Sequence, residues 1–295
     1  MLKRGQFSQL SSESSVHLDI RPMQARDRDS VVDRLSRKPL ENLLLIDAAS
    51  RVGEVPSTGD PAVQVLLAEY EDRLVGVAAL QPIVTVEFGI SEAVLAELLP
   101  HLATVSSGLL KTRLVIADSV WPLLESSGRR KVLDRIEQGY AVSGRDLRPY
   151  EVPGGGHLRS ASAEDLPELV DAARSSLKEE DRCDPFDGNP YAFRGWVASR
   201  MPRARVIDFE GELCFVGYAD VQLESGWLLQ GVYTPGPRRR SGFAAAGVSD
   251  LCRCAFSSGA SHVQLAVVQG NKPAEELYRK LGFRETEQFR TILFR

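Results

Sequence analysis

The 295-residue chain lacks the features that mark several large classes of protein. No apolar run is long enough to span a bilayer, and the first residues contain two basic side chains without the apolar segment of a signal peptide. The formal net charge of -4 is small, which argues against nucleic acid or an anionic membrane as the main partner. We therefore expect a cytoplasmic protein that binds neither.

Cysteine and histidine are scarce as well. The four cysteines are too few for a disulfide framework in a chain of this length, and Cys252 and Cys254 face different sides of a predicted helix. The four histidines are scattered, so the sequence predicts no metal site. A P-loop, a dinucleotide-binding glycine fingerprint and a G-x-S-x-G motif are also missing.

Two segments near the C-terminus carry the most information. VYTPGPRRRSGFAA places Arg239, Gly242 and Ala244 in an R-x-x-G-x-A pattern between a predicted strand at residues 228–234 and a predicted helix. Small residues allow the backbone to approach an anion closely, and a helix N-terminus offers unpaired N–H groups with a positive dipole end. The pattern predicts a phosphate-binding loop.

The second segment, LAVVQGNKPAEELYRKLGF, reads as a buried strand at residues 263–268, then Asn271, then a short helix that carries Tyr278. Each feature alone has an ordinary explanation: Asn271 as a helix cap, Tyr278 as packing and the arginine run as a solvated surface. Their order, with a strand or helix correctly placed between them, favours a functional site.

In this order, the two segments resemble the GNAT N-acetyltransferase superfamily, whose cofactor is acetyl-CoA. The resemblance implies an α/β fold, a twisted, mixed and mostly antiparallel sheet flanked by helices. It implies a bulge at residues 231–233 for the pantetheine arm, and a loop that binds the pyrophosphate through backbone amides and arginines. RRSG replaces the commoner RGKG or RGRG, so one glycine is lost while Gly242 is kept. The implied cofactor-binding residues are Val232, Tyr233, Thr234, Arg238, Arg239, Arg240, Ser241, Gly242, Phe243, Ala244, Asn271 and Tyr278.

The same resemblance suggests catalytic roles. Tyr278 would protonate the departing thiolate, because a phenol with a pKa of about 10 keeps its proton at neutral pH. A backbone N–H near Val232 would polarise the thioester carbonyl. The predicted fourth strand, WLLQGVY, carries no acid, so Glu224 just before it is the nearest candidate for the general base. A water chain or an already neutral amine would serve instead.

A proline- and glycine-rich stretch divides the chain. We predict a flexible tail at residues 1–15, a first domain at 16–150, a linker at 151–156 and a second domain at 157–295. RPMQARDRDSVVD at residues 21–33 resembles RSASAEDLPELVD at residues 159–171 in register. VQVLLAEYEDRLVGVAAL similarly parallels RVIDFEGELCFVGYADV. We therefore expect a duplication that yields two tandem GNAT-like domains.

The first half lacks the residues of the cofactor site. No arginine–glycine loop follows Leu80, and Glu87 would repel a pyrophosphate. A strand predicted at residues 113–117 leads to no Asn or Tyr at the matching spacing. We expect a degenerate domain without cofactor, which either roofs the site, supplies substrate specificity or serves only for packing.

The sequence thus predicts an acetyl-CoA-dependent N-acetyltransferase acting on a primary amine of a small molecule or a protein. The alternative is an acyl-CoA-binding sensor without turnover. Intact Tyr278 and Asn271 favour the enzyme, since a sensor has less use for a leaving-group acid. The acidic loop at residues 179–191 would suit a cationic amine.

Overall fold

The computed structural model describes residues 18–55, 62–182 and 184–295. The predicted tail at residues 1–15 lies outside these ranges. The described residues form a twelve-stranded sheet flanked by helices, in which only β4–β5 and β10–β11 are parallel neighbours. The α/β fold with a mixed, mostly antiparallel sheet is therefore as predicted. No helix within the described ranges is both long and apolar enough to cross a membrane.

The first half contributes six strands and four helices. They are β1 (Asp19–Pro22), α1 (Arg28–Leu35), α2 (Pro39–Ser50), β2 (Gln64–Tyr70), β3 (Arg73–Gln81), β4 (Ile83–Val86), α3 (Glu92–Leu102), β5 (Gly108–Arg113), α4 (Leu114–Ser126) and β6 (Lys131–Val142).

The second half repeats the same order of strands and helices. Its elements are β7 (His157–Ser160), α5 (Leu166–Glu179), α6 (Pro190–Arg200), β8 (Ala204–Phe209), β9 (Glu212–Leu223), β10 (Gly226–Tyr233), α7 (Phe243–Ser257), β11 (Val263–Val268), α8 (Lys272–Lys280) and β12 (Arg284–Phe294). This one-to-one correspondence supports the duplication inferred from the sequence.

An ion-pair triad occurs at the same place in each half. Arg21 and Arg159 each follow the start of a first strand and bind two carboxylates, one of which also closes a capping box at the next helical turn. The shortest N–O distances are 2.7 Å to Asp27 and 2.8 Å to Glu69 for Arg21, and 2.7 Å to Asp165 and 2.6 Å to Asp208 for Arg159. The triads confirm the correspondence between residues 21–33 and 159–171.

The two halves exchange their last strands. The strand order is β1-β2-β3-β4-β5-β12-β6-β11-β10-β9-β8-β7, so β12 lies beside β5 and β6 lies beside β11. The sequence predicts two domains divided at residues 151–156. In the structure, the last strand of each predicted domain completes the sheet of the other domain.

The exchange also links the two hydrophobic cores. Tyr140 of β6 is buried in the core of the second half, where its ring centroid lies 6.2 Å from that of Tyr278. Phe294 of β12 is buried in the core of the first half, 6.1 Å from the ring of Trp121. Each core therefore depends on side chains from the other half.

One predicted strand is wrong. Residues 113–117 hold the end of β5 and the first turn of α4. The β-branched residues there suggest a strand, but the buried positions Ile116, Val120 and Leu124 recur at helical spacing. Burial of that helical face decides the local structure.

Candidate active site

A cavity opens where β10 and β11 separate. Within these two strands, parallel pairing is confined to Trp227 with Val263 and Leu228 with Gln264. Beyond these pairs lies a cavity of about 390 Å³. Its walls come from β9, β10, β11, β12, α5, α6 and α8 of the second half and from β5 and β6 of the first half.

β10 carries a bulge beside the cavity. Gln230 pairs with Tyr218 of β9 and Tyr233 pairs with Val216, so β10 has one residue more than β9 over this stretch. Gly231 lies there at φ +59°, in the left-handed region that glycine adopts without strain. The bulge turns backbone groups out of the ladder at the position expected from the GNAT resemblance.

The segment after β10 leads into the N-terminus of α7. A short 3₁₀ turn at Gly236–Arg238 is followed by Arg240 at φ +64° and Gly242 at φ +89°. Residues 239–242 are exposed, and no side chain in the described part of the chain caps the first turn of α7. An exposed, uncapped helix N-terminus offers its amides and dipole to an anion.

The three arginines before Gly242 have different surroundings. Arg238 donates to Glu212 at 2.8 Å, and Arg239 forms an ion pair with Glu179. Arg240 is exposed and has no ion pair with any described residue. Arg240 is therefore available to a phosphate, whereas Arg238 and Arg239 would have to exchange an exposed carboxylate for it, and the expectation that all three reach a phosphate stays a prediction.

The other loop residues divide between cavity and core. Val232 and Tyr233 line the cavity, and the Tyr233 hydroxyl lies 3.0 Å from a carboxylate oxygen of Glu179. The Phe243 side chain is buried against Phe209, so only its backbone can meet a ligand. The carbonyl of Thr234 accepts a hydrogen bond from Arg239. Ser241 is exposed and Ala244 is partly buried.

Tyr278 lines the cavity from α8. Its ring is buried between those of Tyr140 and Phe283, with centroids 6.2 Å and 5.5 Å away. The hydroxyl makes no hydrogen bond to a described residue. Burial raises the pKa of Tyr278, so the phenol keeps its proton at neutral pH. The hydroxyl can therefore donate to a group that enters the cavity.

Asn271 both caps a helix and lines the cavity. Its side-chain oxygen accepts a hydrogen bond from the amide of Ala274 at 3.3 Å, which caps α8. Its side chain also lines the cavity beside β11. The structural explanation as a cap is confirmed, and the cofactor-binding role stays a prediction.

Glu224 does not reach the cavity. It lies in the turn between β9 and β10, at the opposite end of β10 from the bulge. Gln230 lies six positions further along the chain, which corresponds to about 20 Å of extended strand. The proposal of Glu224 as general base is therefore corrected by its position.

Three charged residues of the first half line the cavity instead. Glu137 of β6 binds Lys111 of β5 at 2.5 Å and Arg135 at 3.0 Å. Burial raises the pKa of Glu137, but the two cations lower it more, so the carboxyl stays ionised. The signal in the sequence is charge at alternate positions, Lys111 and Arg113 in β5 and Arg135 and Glu137 in β6. This alternation does not indicate whether the side chains enter the cavity of the first half or that of the second half.

The acidic loop presents few free carboxylates. Glu179 binds Arg239, and Glu180 binds Arg135 at 2.9 Å. Asp184 accepts a hydrogen bond from the amide of Phe186, and Asp187 pairs with Arg295. The fifth, Asp181, is exposed and forms no ion pair with a described residue; of the five, only Glu180 lines the cavity. The loop therefore gives no support to the expected site for a cationic amine.

The family model of GNAT acetyltransferases matches residues 168–283, the range that contains the bulge, the uncapped helix and Tyr278. The chain carries a GNAT acetyltransferase domain. No curated protein sequence matches the chain.

Solved structures resemble the whole chain. A Drosophila protein from a structural genomics consortium has a TM-score of 0.66 at 17% identity and covers 93% of this chain and 98% of its own. A GCN5-related N-acetyltransferase of Sphaerobacter thermophilus has a TM-score of 0.55 at 15% identity, covering 93% and 94%. A tandem GNAT protein from the clavulanic acid biosynthesis pathway has a TM-score of 0.54 at 15% identity, covering 93% and 98%. The likeness shows that both halves have the GNAT fold.

Proposed function

We propose that this GNAT protein transfers an acetyl group from acetyl-CoA to a primary amine. The observation that carries the proposal is that the bulge of β10 and Tyr278 line one cavity, and that the segment after β10 leads from it to the exposed, uncapped start of α7. A sensor of acyl-CoA needs the first two features, but it has no need of an unpaired phenol beside the thioester.

The residues fit the chemistry of acetyl-CoA. The pyrophosphate would bind the amides at the start of α7, where a Cβ added to Gly242 would lie 3.3 Å from Pro153. Arg240 would add a charge-assisted contact. The pantetheine arm would lie along Gly231 and Val232, whose backbone the bulge turns out of the sheet.

Acetyl transfer forms a C–N bond, breaks the C–S bond and moves two protons. The amine loses one proton, and the departing sulfur gains one from the Tyr278 hydroxyl. The bulged backbone near Val232 would donate to the carbonyl oxygen as negative charge develops there. The bulge and Tyr278 thus hold the two donors that the departing group requires.

Among the described residues that line the cavity, no carboxylate is free to accept the amine proton. Three carboxylates line the cavity, Glu137, Glu180 and Asp220, and each is bound to an arginine or lysine. A carboxylate held by cations is a weak base, because the cations stabilise its ionised form. We propose that the amine enters neutral and that water accepts the proton it releases as the C–N bond forms, while a proton from water restores Tyr278. The cytoplasmic location stays a prediction of the sequence.

Replacing one hydroxyl tests the role of Tyr278. We expect Tyr278→Phe to lower kcat by roughly 100-fold, a typical contribution of a general acid, with little change in the Kd of acetyl-CoA. The measurements are free-thiol release with an acetylated amine found by mass spectrometry, and calorimetric titration of acetyl-CoA. Tyr150→Phe is the matched control, because Tyr150 is partly buried but does not line the cavity.

The outcomes separate three roles. Equal losses of binding and turnover would make Tyr278 only a wall of the channel, and unchanged turnover would remove it from the mechanism. A wild-type protein that binds acetyl-CoA but acetylates no amine would be the sensor.

A further inference from the structure

The cavity contains more charge than acetyl transfer by itself requires. Its charged side chains come from both halves of the chain and lie on three strands and at the ends of two helices. The cations are Lys111, Arg135, Arg182 and Arg200, and the carboxylates are Glu137, Glu180 and Asp220. One positive charge is therefore left over within the cavity.

Most of these charges neutralise one another at short distance. Arg200 binds Asp220 through two hydrogen bonds of 3.0 and 2.6 Å, a forked arrangement that occupies both carboxylate oxygens. Lys111 binds Glu137 at 2.5 Å, and the Lys111 side chain is only 10% exposed. The two Arg200–Asp220 hydrogen bonds and the Lys111–Glu137 contact pair each cation with a carboxylate. Arg200 and Lys111 therefore have no free charge for a ligand.

Arg182 is the cation without a partner of its own. Its nearest carboxylate is Glu180 at 3.5 Å, and Glu180 is already bound more closely by Arg135, at 2.9 Å. No other described residue forms an ion pair with Arg182. Burial and the neighbouring Arg135 both lower the pKa of Arg182, the direction expected for a cation without a close carboxylate of its own.

The donor substrate cannot supply that anion. The phosphates of acetyl-CoA are at the far end of its pantetheine arm, and the arm and acetyl group are neutral. With the phosphates at the start of α7 and the thioester at Tyr278, the group that meets Arg182 belongs to the acceptor. A volume of about 390 Å³, shared with the end of the arm, limits that acceptor to a small molecule.

We propose that the acceptor is a small amine that also carries a carboxylate, and that Arg182 binds this carboxylate. The proposal rests on the function proposed above. Arg135, from the first half, binds the same Glu180 oxygen at the shorter distance, so Arg182 has to share its carboxylate and keeps charge for a ligand. Trp196, Leu177 and Leu229 supply apolar surface for the carbon skeleton between the two polar groups.

The test compares amines that differ only in the carboxylate. Suitable pairs are phenylalanine with phenethylamine, tyrosine with tyramine, lysine with cadaverine, and β-alanine with ethylamine. With the full chain and acetyl-CoA, we expect kcat/KM to be roughly 10- to 100-fold higher for the carboxylate member of an accepted pair, as for a charge-assisted hydrogen bond.

Variants of Arg182 then locate the preference. Arg182→Gln should raise KM for the carboxylate-bearing amine by a similar factor, with little change in kcat or in the KM of its decarboxylated partner. Arg182→Lys should keep part of the preference, because it keeps the charge but loses the fork. Arg194→Gln is the control: this exposed arginine of α6 does not line the cavity, and the variant should behave as wild type.

Either of two results would overturn the proposal: equal use of both members of every pair, or an equal loss for both in Arg182→Gln. If no amine is acetylated, the proposed enzyme fails. The carboxylate site is then tested by calorimetry of the same pairs with the CoA-saturated protein. Binding that requires the carboxylate and is lost in Arg182→Gln would support the site, and its absence across the panel would reject it.

Discussion

The two halves have the same order of elements, yet the opening between their parallel strands differs. In the second half, β10 and β11 enclose a cavity of about 390 Å³. In the first half, β4 and β5 also pair in parallel over two residues, but the space at the strand ends is only about 30 Å³ and is lined by residues of α2. The first half therefore lacks the loop motif, and the opening between its parallel strands is closed.

A side chain of α2 takes the place of a ligand. Asn42 accepts a hydrogen bond of 2.8 Å from the amide of Phe88, which corresponds in strand register to Val232 of the bulge. The guanidinium of Arg113 lies 4.4 Å from the centre of the Phe88 ring. The amide that would meet a thioester carbonyl is thus satisfied within the protein.

The two corresponding helices begin differently as well. The side chain of Ser91 caps α3 by accepting from the amide of Val94, whereas α7 begins after Gly242 without a side-chain cap. Glu87, just before Phe88, is buried and bound to Arg34 at 3.0 Å. In the first half, side chains of the protein accept hydrogen bonds from the backbone N–H groups at the strand end and at the helix start. In the second half, the corresponding N–H groups are left for a ligand.

The largest effect is expected where the halves exchange strands. Glu137→Gln removes one charge from a buried cluster and leaves Lys111 and Arg135 without their shared partner. Loss of one member of a buried ion pair typically costs about 3–5 kcal/mol. We expect a fall of that order in the free energy of unfolding, measured in urea. Asp33→Asn is the control, because its pair with Arg37 is exposed and should contribute little.

A fall of less than about 1 kcal/mol, the size of an ordinary exposed ion pair, would contradict the role of Glu137 in joining the halves. It would mean that Lys111 sheds its charge or reaches water when the carboxylate is removed.

The next effect concerns the cofactor. Gly242 and Gly89 each precede a corresponding helix and have φ +89° and +81°, so a glutamate strains the backbone similarly at both sites. Gly242→Glu should lower acetyl-CoA affinity by roughly 100-fold or more, about 2.7 kcal/mol, through bulk and like charge. Gly89→Glu should leave affinity unchanged. Calorimetry on both variants, with urea unfolding to verify the fold, measures the difference.

Equal losses in the two variants would break the comparison, because the first half would then take part in cofactor binding. Unchanged affinity in a folded Gly242→Glu protein would instead remove α7 from the phosphate site.

The smallest expected effect is the loss of stability when the capping-box carboxylate is removed, and it should be the same in both halves. Asp165 and Asp27 close equivalent capping boxes, and their arginines lower the pKa of both carboxyls, that of Asp165 to about 2. Asp165→Asn and Asp27→Asn should each lower the free energy of unfolding by about 1 kcal/mol at pH 7. A folded pKa below the unfolded value of 3.8 gives stability that is complete above pH 4 and lost towards pH 2.

The difference between each variant and wild type should therefore shrink as the pH falls from 4 towards 2. Urea unfolding across this range provides the measurement. A difference that persists at the acid end would mean that the carboxylate charge is not what stabilises the turn.

Much of the candidate site could be predicted because its parts are close in sequence. The bulge at Gly231, the loop before α7 and the helix that carries Tyr278 all lie within about fifty residues of one another. Turn chemistry and helical or strand periodicity report directly on such neighbours. The strand at residues 113–117 shows the limit, since a short apolar run fits either period until its burial is known.

The sequence by itself determined the fold family, the duplication and the half that carries the loop, because each depends on local patterns that recur at a fixed spacing. Only the tertiary structure decided the exchange of β6 and β12, the filling of the first cleft by Asn42 and the place of Glu137 in the second. Glu137 meets Thr291 across 154 positions of the chain at 2.9 Å. No local periodicity encodes such a contact, which arises only when the whole sheet is assembled.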